Sequence, residues 1–177
     1  MSQSAFQIRE ATPEDARAIT ELHIRGWRAA YKGLFSDERL AGLDVERGTQ
    51  RRAEFLRDMP TPQHRWWLLE EDGTLVGFAT AGPARDDDLG DETIELYAIY
   101  VEPERIGSRL GKRLMDHVLA HARASGHAAL SLWVLVGNER ANHFYERAGM
   151  VPDERAAPIP AETDGPIKHR LVMTLSD

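Results

Sequence analysis

TIELYAIYVEPERIGSRLGKRLMDHVLAHARA, from Thr93 to Ala124, changes its hydrophobic period once, and that change decides the fold. Nearly every residue of Thr93–Val101 is β-branched, aromatic or aliphatic, which predicts a strand buried on both faces. Pro103 removes a backbone donor and ends any ladder. From Leu110 the period is helical: Leu110, Leu114, Val118 and Ala122 make one stripe, widened by Met115 and Leu119. The loop between, Glu104–Gly111, carries Gly107 and Gly111. A glycine loop feeding a helix N-terminus gathers unpaired N–H groups where the helix dipole is positive, so phosphate is expected here. Gly107 and Gly111 alone make neither a dinucleotide fingerprint nor a P-loop.

Upstream, Phe6 and Ile8 alternate with polar residues as a short strand. Thr12-Pro13-Glu14-Asp15 is a helix start, with Thr12 as N-cap, Pro13 at the first position and acids in the first turn. That helix runs to about Tyr31, with Ala16, Ile19, Leu22, Gly26 and Ala30 on its inner side. His23, Trp27 and Tyr31 form a second stripe that either packs the core edge or lines a substrate pocket. Ser36 to Met59 reads as one further charged amphipathic segment, its Arg47, Arg51, Arg52 and Arg57 forming a solvated face. Arg65–Glu70 and Leu75–Ala81 are antiparallel strands joined by a turn centred on Asp72-Gly73. Ala84–Glu92, with three consecutive aspartates, is expected as an exposed connection.

Downstream, Ala128–Val136 is a second doubly buried strand. Asn138 is placed to cap a helix over Glu139–Ala148, and Gly149 stops it. Val151 to Lys168 reads as a loop rich in proline and acid, and His169–Leu175 as the last strand. Two doubly buried strands joined through a helix form a crossover unit and are parallel. With the Asp-Gly hairpin this predicts a mixed α/β sheet in a single domain over residues 1–177.

A length of 177 residues suffices for one proper core, and 42% apolar with 29% charged residues excludes a disordered chain. A net charge of −7 argues against nucleic acid as partner. The absence of cysteine excludes disulfides, thiolate metal sites and a cysteine nucleophile. No apolar run approaches the roughly 20 residues of a membrane helix, and the first residues do not read as a signal peptide, so a cytoplasmic location is expected. His117 and His121 have a spacing that can hold zinc, but no acid lies between them; they read as surface residues, and no metal is expected.

The segments ELYAIYVEPERIGSRLGKRLMDH and LWVLVGNERANHFYERAGM resemble the GNAT superfamily of N-acetyltransferases, and the resemblance runs through essentially the whole chain. It implies the GNAT fold: a twisted, mostly antiparallel sheet whose central parallel pair splays around the cofactor, with helices on both faces. It implies acetyl-CoA as co-substrate and a primary amine as acceptor, attacking the thioester directly in a ternary complex. The implied cofactor-binding residues are Ile99, Tyr100 and Val101, the loop Ile106, Gly107, Ser108, Arg109, Leu110, Gly111 and Lys112, and Asn138. Ile106 stands where the family has Gln or Arg, and Arg109 where it has a second glycine. Arg109 either supplies charge to the phosphates or blocks the cradle. Arg105, Lys112 and Arg113 add positive charge, or are simply solvated.

The resemblance also implies Glu95 as base for the amine, against a structural ion pair with an arginine. Tyr145 matches the general acid for the departing sulfur, against a core tyrosine bonded to backbone. Asn138 matches a contact to the pantetheine arm, alongside its capping role. His23, Trp27 and Tyr31 are the candidate acceptor contacts, a small-molecule amine is the favoured acceptor, and a homodimer is compatible with the family. The competing readings are a non-catalytic acyl-CoA-binding or regulatory domain, and a peptide or protein acetyltransferase.

Overall fold

A computed structural model describes residues 5–161 and 166–175. In chain order these form β1 (Phe6–Glu10), α1 (Ala16–Ala30), α2 (Asp37–Ala41), α3 (Val45–Arg57), β2 (Arg65–Glu71), β3 (Thr74–Pro83) and β4 (Thr93–Val101), followed by α4 (Leu110–Ala124), β5 (Ala129–Leu135), α5 (Glu139–Arg147), β6 (Val151–Pro152), β7 (Ile159–Pro160) and β8 (Ile167–Thr174). Among the described residues the strands make one sheet in the order β1-β2-β3-β4-β5-β8-β6, with β7 also on β8. All neighbours are antiparallel except β4 and β5, which are parallel as the crossover demands.

Local chemistry explains most boundaries. The Asp72-Gly73 turn has positive φ at both residues (50° and 78°), the twist that suits a two-residue hairpin. Gly149 stops α5 at φ 97°. The charged segment after α1 is two helices rather than one. Ser36 accepts from the Arg39 N–H (3.2 Å) to cap α2, and Asp44 accepts from the Arg47 N–H (2.8 Å) to start α3 afresh. The region after α5 is also more regular than expected, since β6 and β7 each add two residues to the edge of β8.

The core lies on both faces of the sheet. Leu114, Met115 and Val118 of α4 pack with Leu130, Leu132 and Ile94 on one side. Ile19 and Leu22 of α1 and Leu56 of α3 pack on Leu68 and Phe78 on the other. Arg52 does not join a solvated face. It turns inward, donates to Thr20 Oγ1 (2.5 Å), meets His23 Nδ1 (3.1 Å) and lies over the Trp66 ring.

The aspartate-rich connection is exposed as expected, but it is tied down at two aspartates. Arg170 is 2% exposed, and a guanidinium so buried needs carboxylates. It takes Asp86 (3.2 Å) and Asp88 (2.5 Å) from that connection and Asp153 (2.8 Å) from beyond β6. The connection is thereby tied to β8. Among the described residues no helix is long and apolar enough to cross a membrane.

Candidate active site

β4 decides the site. Its register against β3 slips where Ala98 faces Thr80 but Leu96 faces Ala81, which leaves Tyr97 as the extra residue of a bulge. The bulge inverts the alternation: Ile94 and Leu96 belong to the α4 side before it, and Ile99 and Val101 belong there after it. Ala98 and Tyr100 turn to the α1 side. A regular strand would have put Glu95 and Ile99 on one face; the bulge separates them.

The parallel pairing of β4 with β5 ends at Glu95 and Ser131. Beyond that rung the strands part, and backbone groups of β4 facing the gap lose their ladder partners. A cavity of about 1140 Å³ fills the fork. Ala98–Val101 line it from β4, and Trp133, Val134 and Leu135 line it from β5. This is why only Thr93–Leu96 are buried, while Tyr97–Val101 are half-buried.

One half of the cavity holds the glycine loop and the open N-terminus of α4. Leu110, Gly111 and Lys112 open α4, so their N–H groups have no partner a turn earlier. Gly107 sits at φ 91° with open space where a Cβ would be, and a Cβ on Gly111 would lie 3.4 Å from Phe144. Arg109 adopts the left-handed conformation at φ 65°, ψ 7°. The backbone thus keeps the turn that a glycine would make, and the departure at Arg109 costs strain without closing the loop. Ile106, Gly107, Arg109, Gly111 and Lys112 line the cavity. Ser108 and Leu110 do not; the Ser108 hydroxyl donates to the Arg105 carbonyl (2.5 Å), and Leu110 is a core residue of α4.

Charge is supplied from the loop before α4 and from two helices. Arg105 lines the cavity and pairs with Glu71, while Lys112 is held by Asp116 (2.6 Å). Arg140 and Arg147 also line it, from α5. The sequence reading missed these two, although their spacing with His143 and Phe144 places them on one helical face. Arg113 points elsewhere, over the Phe6 ring. Cradle, open fork and surplus positive charge together fit a phosphate-bearing thioester with a long, slender arm.

The other half is aromatic. Trp27, Tyr31 and Phe35 enter from α1 and the turn after it, and Tyr31 and Tyr100 share a hydrogen bond between hydroxyls (2.8 Å). His23 stands behind Tyr100, not in the cavity, with ring centroids 4.8 Å apart. Burial, reinforced by Arg52, pushes the His23 imidazole down to about 3. Arg85, Tyr97, Trp133 and Lys168 line this half and were not singled out from the sequence.

Tyr145 faces the cavity from α5, and burial raises its phenol well above the usual range, so it is neutral. Its hydroxyl makes no hydrogen bond to the described residues, unlike a core tyrosine tied to backbone. Asn138 caps α5 as expected, accepting from the Ala141 N–H (3.3 Å), and also lines the cavity. Glu95 is different. It is 1% exposed and is not part of the lining. Its Oε2 accepts from the Arg85 backbone N–H (2.9 Å), and its Oε1 from Arg85 Nη2 (2.5 Å), with Nε shared between them. His117 and His121 pack their edges on Trp67, at 5.3 and 5.0 Å between centroids.

This geometry has known counterparts. Residues 18–150 match the model of the acetyltransferase (GNAT) family. Over 80 residues the chain is 41% identical to the mycothiol acetyltransferase of Propionibacterium freudenreichii, covering 45% of this chain but only 25% of that protein. It is 28% identical over 132 residues to the uncharacterized N-acetyltransferase YuaI of Bacillus subtilis, covering 74% of this chain and 72% of that one. The PaiA N-acetyltransferase of Thermoplasma acidophilum, solved in complex with coenzyme A, superposes with a TM-score of 0.74 at 20% identity, over 94% of this chain and 98% of that one. The chain belongs to the GNAT acetyltransferases, a family whose co-substrate is acetyl-CoA.

Proposed function

We propose that the protein transfers the acetyl group of acetyl-CoA to the primary amine of a small molecule, by direct attack in a ternary complex. The observation that carries this is the single cavity running from the α4 N-terminus to the aromatic cluster of α1, with the parting of β4 and β5 between them. Donor and acceptor can meet there without either leaving its half.

The α4 N-terminus, with Arg109, Arg140 and Arg147, holds the pyrophosphate and outer phosphate of the donor. Asn138 and the freed edge of β4 hold its extended arm, and a β4 N–H polarises the thioester carbonyl. The C–N bond forms as the C–S bond breaks. The amine loses one proton to solvent, and the sulfur gains one from Tyr145, which solvent then reloads. A thiolate is a good leaving group, so a neutral phenol suffices.

Glu95 does not supply the base by contact. Its lone pairs are engaged by Arg85, and its role is to hold that side chain at the cavity wall. The acceptor is small because Ala161, just after β7, and Lys168, in β8, wall this half. The non-catalytic alternative rests on Ile106 and Arg109; the left-handed backbone at Arg109, the conformation a glycine would take there, supports the catalytic reading over it.

Calorimetric titration with acetyl-CoA, followed by thiol release over an amine panel, tests the reading. Micromolar binding with amine-dependent release of CoA is expected. Binding without release from any amine would favour the non-catalytic domain.

A further inference from the structure

The acceptor half of the cavity has a sign. Among the described lining residues the carboxylate is Asp116, which belongs to the opposite half and is held by Lys112 (2.6 Å). Among the described residues, the acids near the acceptor half face elsewhere. Glu95 is enclosed by Arg85, and Asp86 accepts from Trp133 Nε1–H (2.8 Å) and pairs with Arg170. Two cations do face it. The Arg85 guanidinium lies 4.6 Å from the Tyr97 ring centre, its side chain 64% exposed despite the bond to Glu95. That bond uses Nε and Nη2, leaving Nη1 to a ligand. The Lys168 ammonium lies 5.1 Å from the Trp133 ring centre and has no acidic partner among the described residues.

Both cations are anchored. Arg170 clamps Asp86 and Asp88, the residues that follow Arg85, and this fixes the connection that carries it. Lys168 is in β8, paired with Leu135 of β5. A wall of aromatic faces set with two fixed cations attracts a carboxylate and repels a second ammonium.

Resting on the acetyl-transfer reading, we infer that the acceptor is a primary amine that itself carries a carboxylate, with an apolar body seated on Trp27, Tyr31 and Phe35. Arg85 and Lys168 bind the carboxylate and so select the substrate. Polyamines and other multiply cationic amines are excluded by the same charges.

The test uses pairs that differ only in the carboxylate: phenylalanine against phenethylamine, and methionine against 3-(methylthio)propylamine, with spermidine as the polycation. Initial rates of CoA release give kcat/KM. Titration of each amine into CoA-saturated protein, followed by tryptophan fluorescence, gives binding independently of turnover. The carboxylate-bearing member should be favoured at least tenfold in both readouts, and spermidine should be the poorest. Lys168→Gln should raise KM for the amino acid several-fold and erase most of the preference. Equal use or binding within the pairs, or none of either while acetyl-CoA still binds, overturns the inference. Failure to bind acetyl-CoA at all would instead sink the acetyl-transfer reading beneath it.

Discussion

Arg85 wraps the Glu95 carboxylate from both sides, its backbone N–H at 2.9 Å from Oε2 and its Nη2 at 2.5 Å from Oε1. The pair joins the connection after β3 to the middle of β4, immediately before the bulge. Ten residues separate the partners in sequence, and Arg85 donates to both oxygens of the carboxylate that family resemblance marks as a base; in our proposal Glu95 positions Arg85 rather than taking the proton. Glu95→Gln should therefore lower stability by about 1–2 kcal/mol, the scale of a charged hydrogen bond lost beside a solvated guanidinium. The pH profile of kcat/KM should keep its shape and follow the acceptor's own ammonium. A profile displaced to higher pH in the variant would return the base role to Glu95.

Among the described residues Tyr145 brings a hydroxyl without a hydrogen bond to the cavity, and its predicted role is confined to the departing sulfur. Tyr145→Phe should reduce kcat by about 10²-fold, the lower end of general acid catalysis, because the thiolate leaves readily. The dissociation constant of acetyl-CoA, read by calorimetry, should change less than twofold. Unchanged turnover would remove the residue from the mechanism.

Arg109 carries strain that a glycine would not. Its left-handed backbone costs about 1 kcal/mol, partly offset in Arg109→Gly by the larger unfolded-state freedom of glycine. The variant should melt about 1–2 °C higher, as expected for a domain of this size. Its affinity for acetyl-CoA should stay within about tenfold of the parent, because the backbone cradle is unaltered and one guanidinium is lost. Binding by the glycine variant alone would show that the parent loop is blocked.

His23 should make the fold sensitive to mild acid. The unfolded imidazole protonates near 6.5, whereas in the folded chain it is pushed down to about 3. Between those values the unfolded state binds the extra proton, so stability falls with pH, by up to about 1.4 kcal/mol per unit. His23→Phe should be less stable at pH 7 but show a flatter dependence of the unfolding midpoint between pH 6.5 and 3. A slope as steep as the parent's would assign the acid sensitivity to other groups.

Much was legible before any coordinates because it depends on neighbours within a few residues. The Asp72-Gly73 hairpin, the Asn138 cap, the Gly149 stop and the change of period at Leu110 all follow from local backbone preference and stripe geometry. The glycine loop that opens α4 belongs to the same class, since loop and helix start are contiguous in sequence. The exception within this local class is α2 and α3, where Asp44 restarts a helix that periodicity alone ran through.

What only the tertiary structure decided involves partners far apart or a change of face. The bulge at Tyr97 depends on the register with β3, and it alone separates Glu95 from Ile99. Arg52 and His23 turn inward because α1, α3 and the sheet enclose them together. Arg170 draws in aspartates more than 80 residues away because a buried guanidinium must be neutralised, and so an exposed run is clamped at Asp86 and Asp88. By itself the sequence determined the main strands and helices and the glycine loop that opens α4; the packing of the sheet determined which charges line the cavity beside its aromatic cluster, because facing is a property of register and burial rather than of residue order.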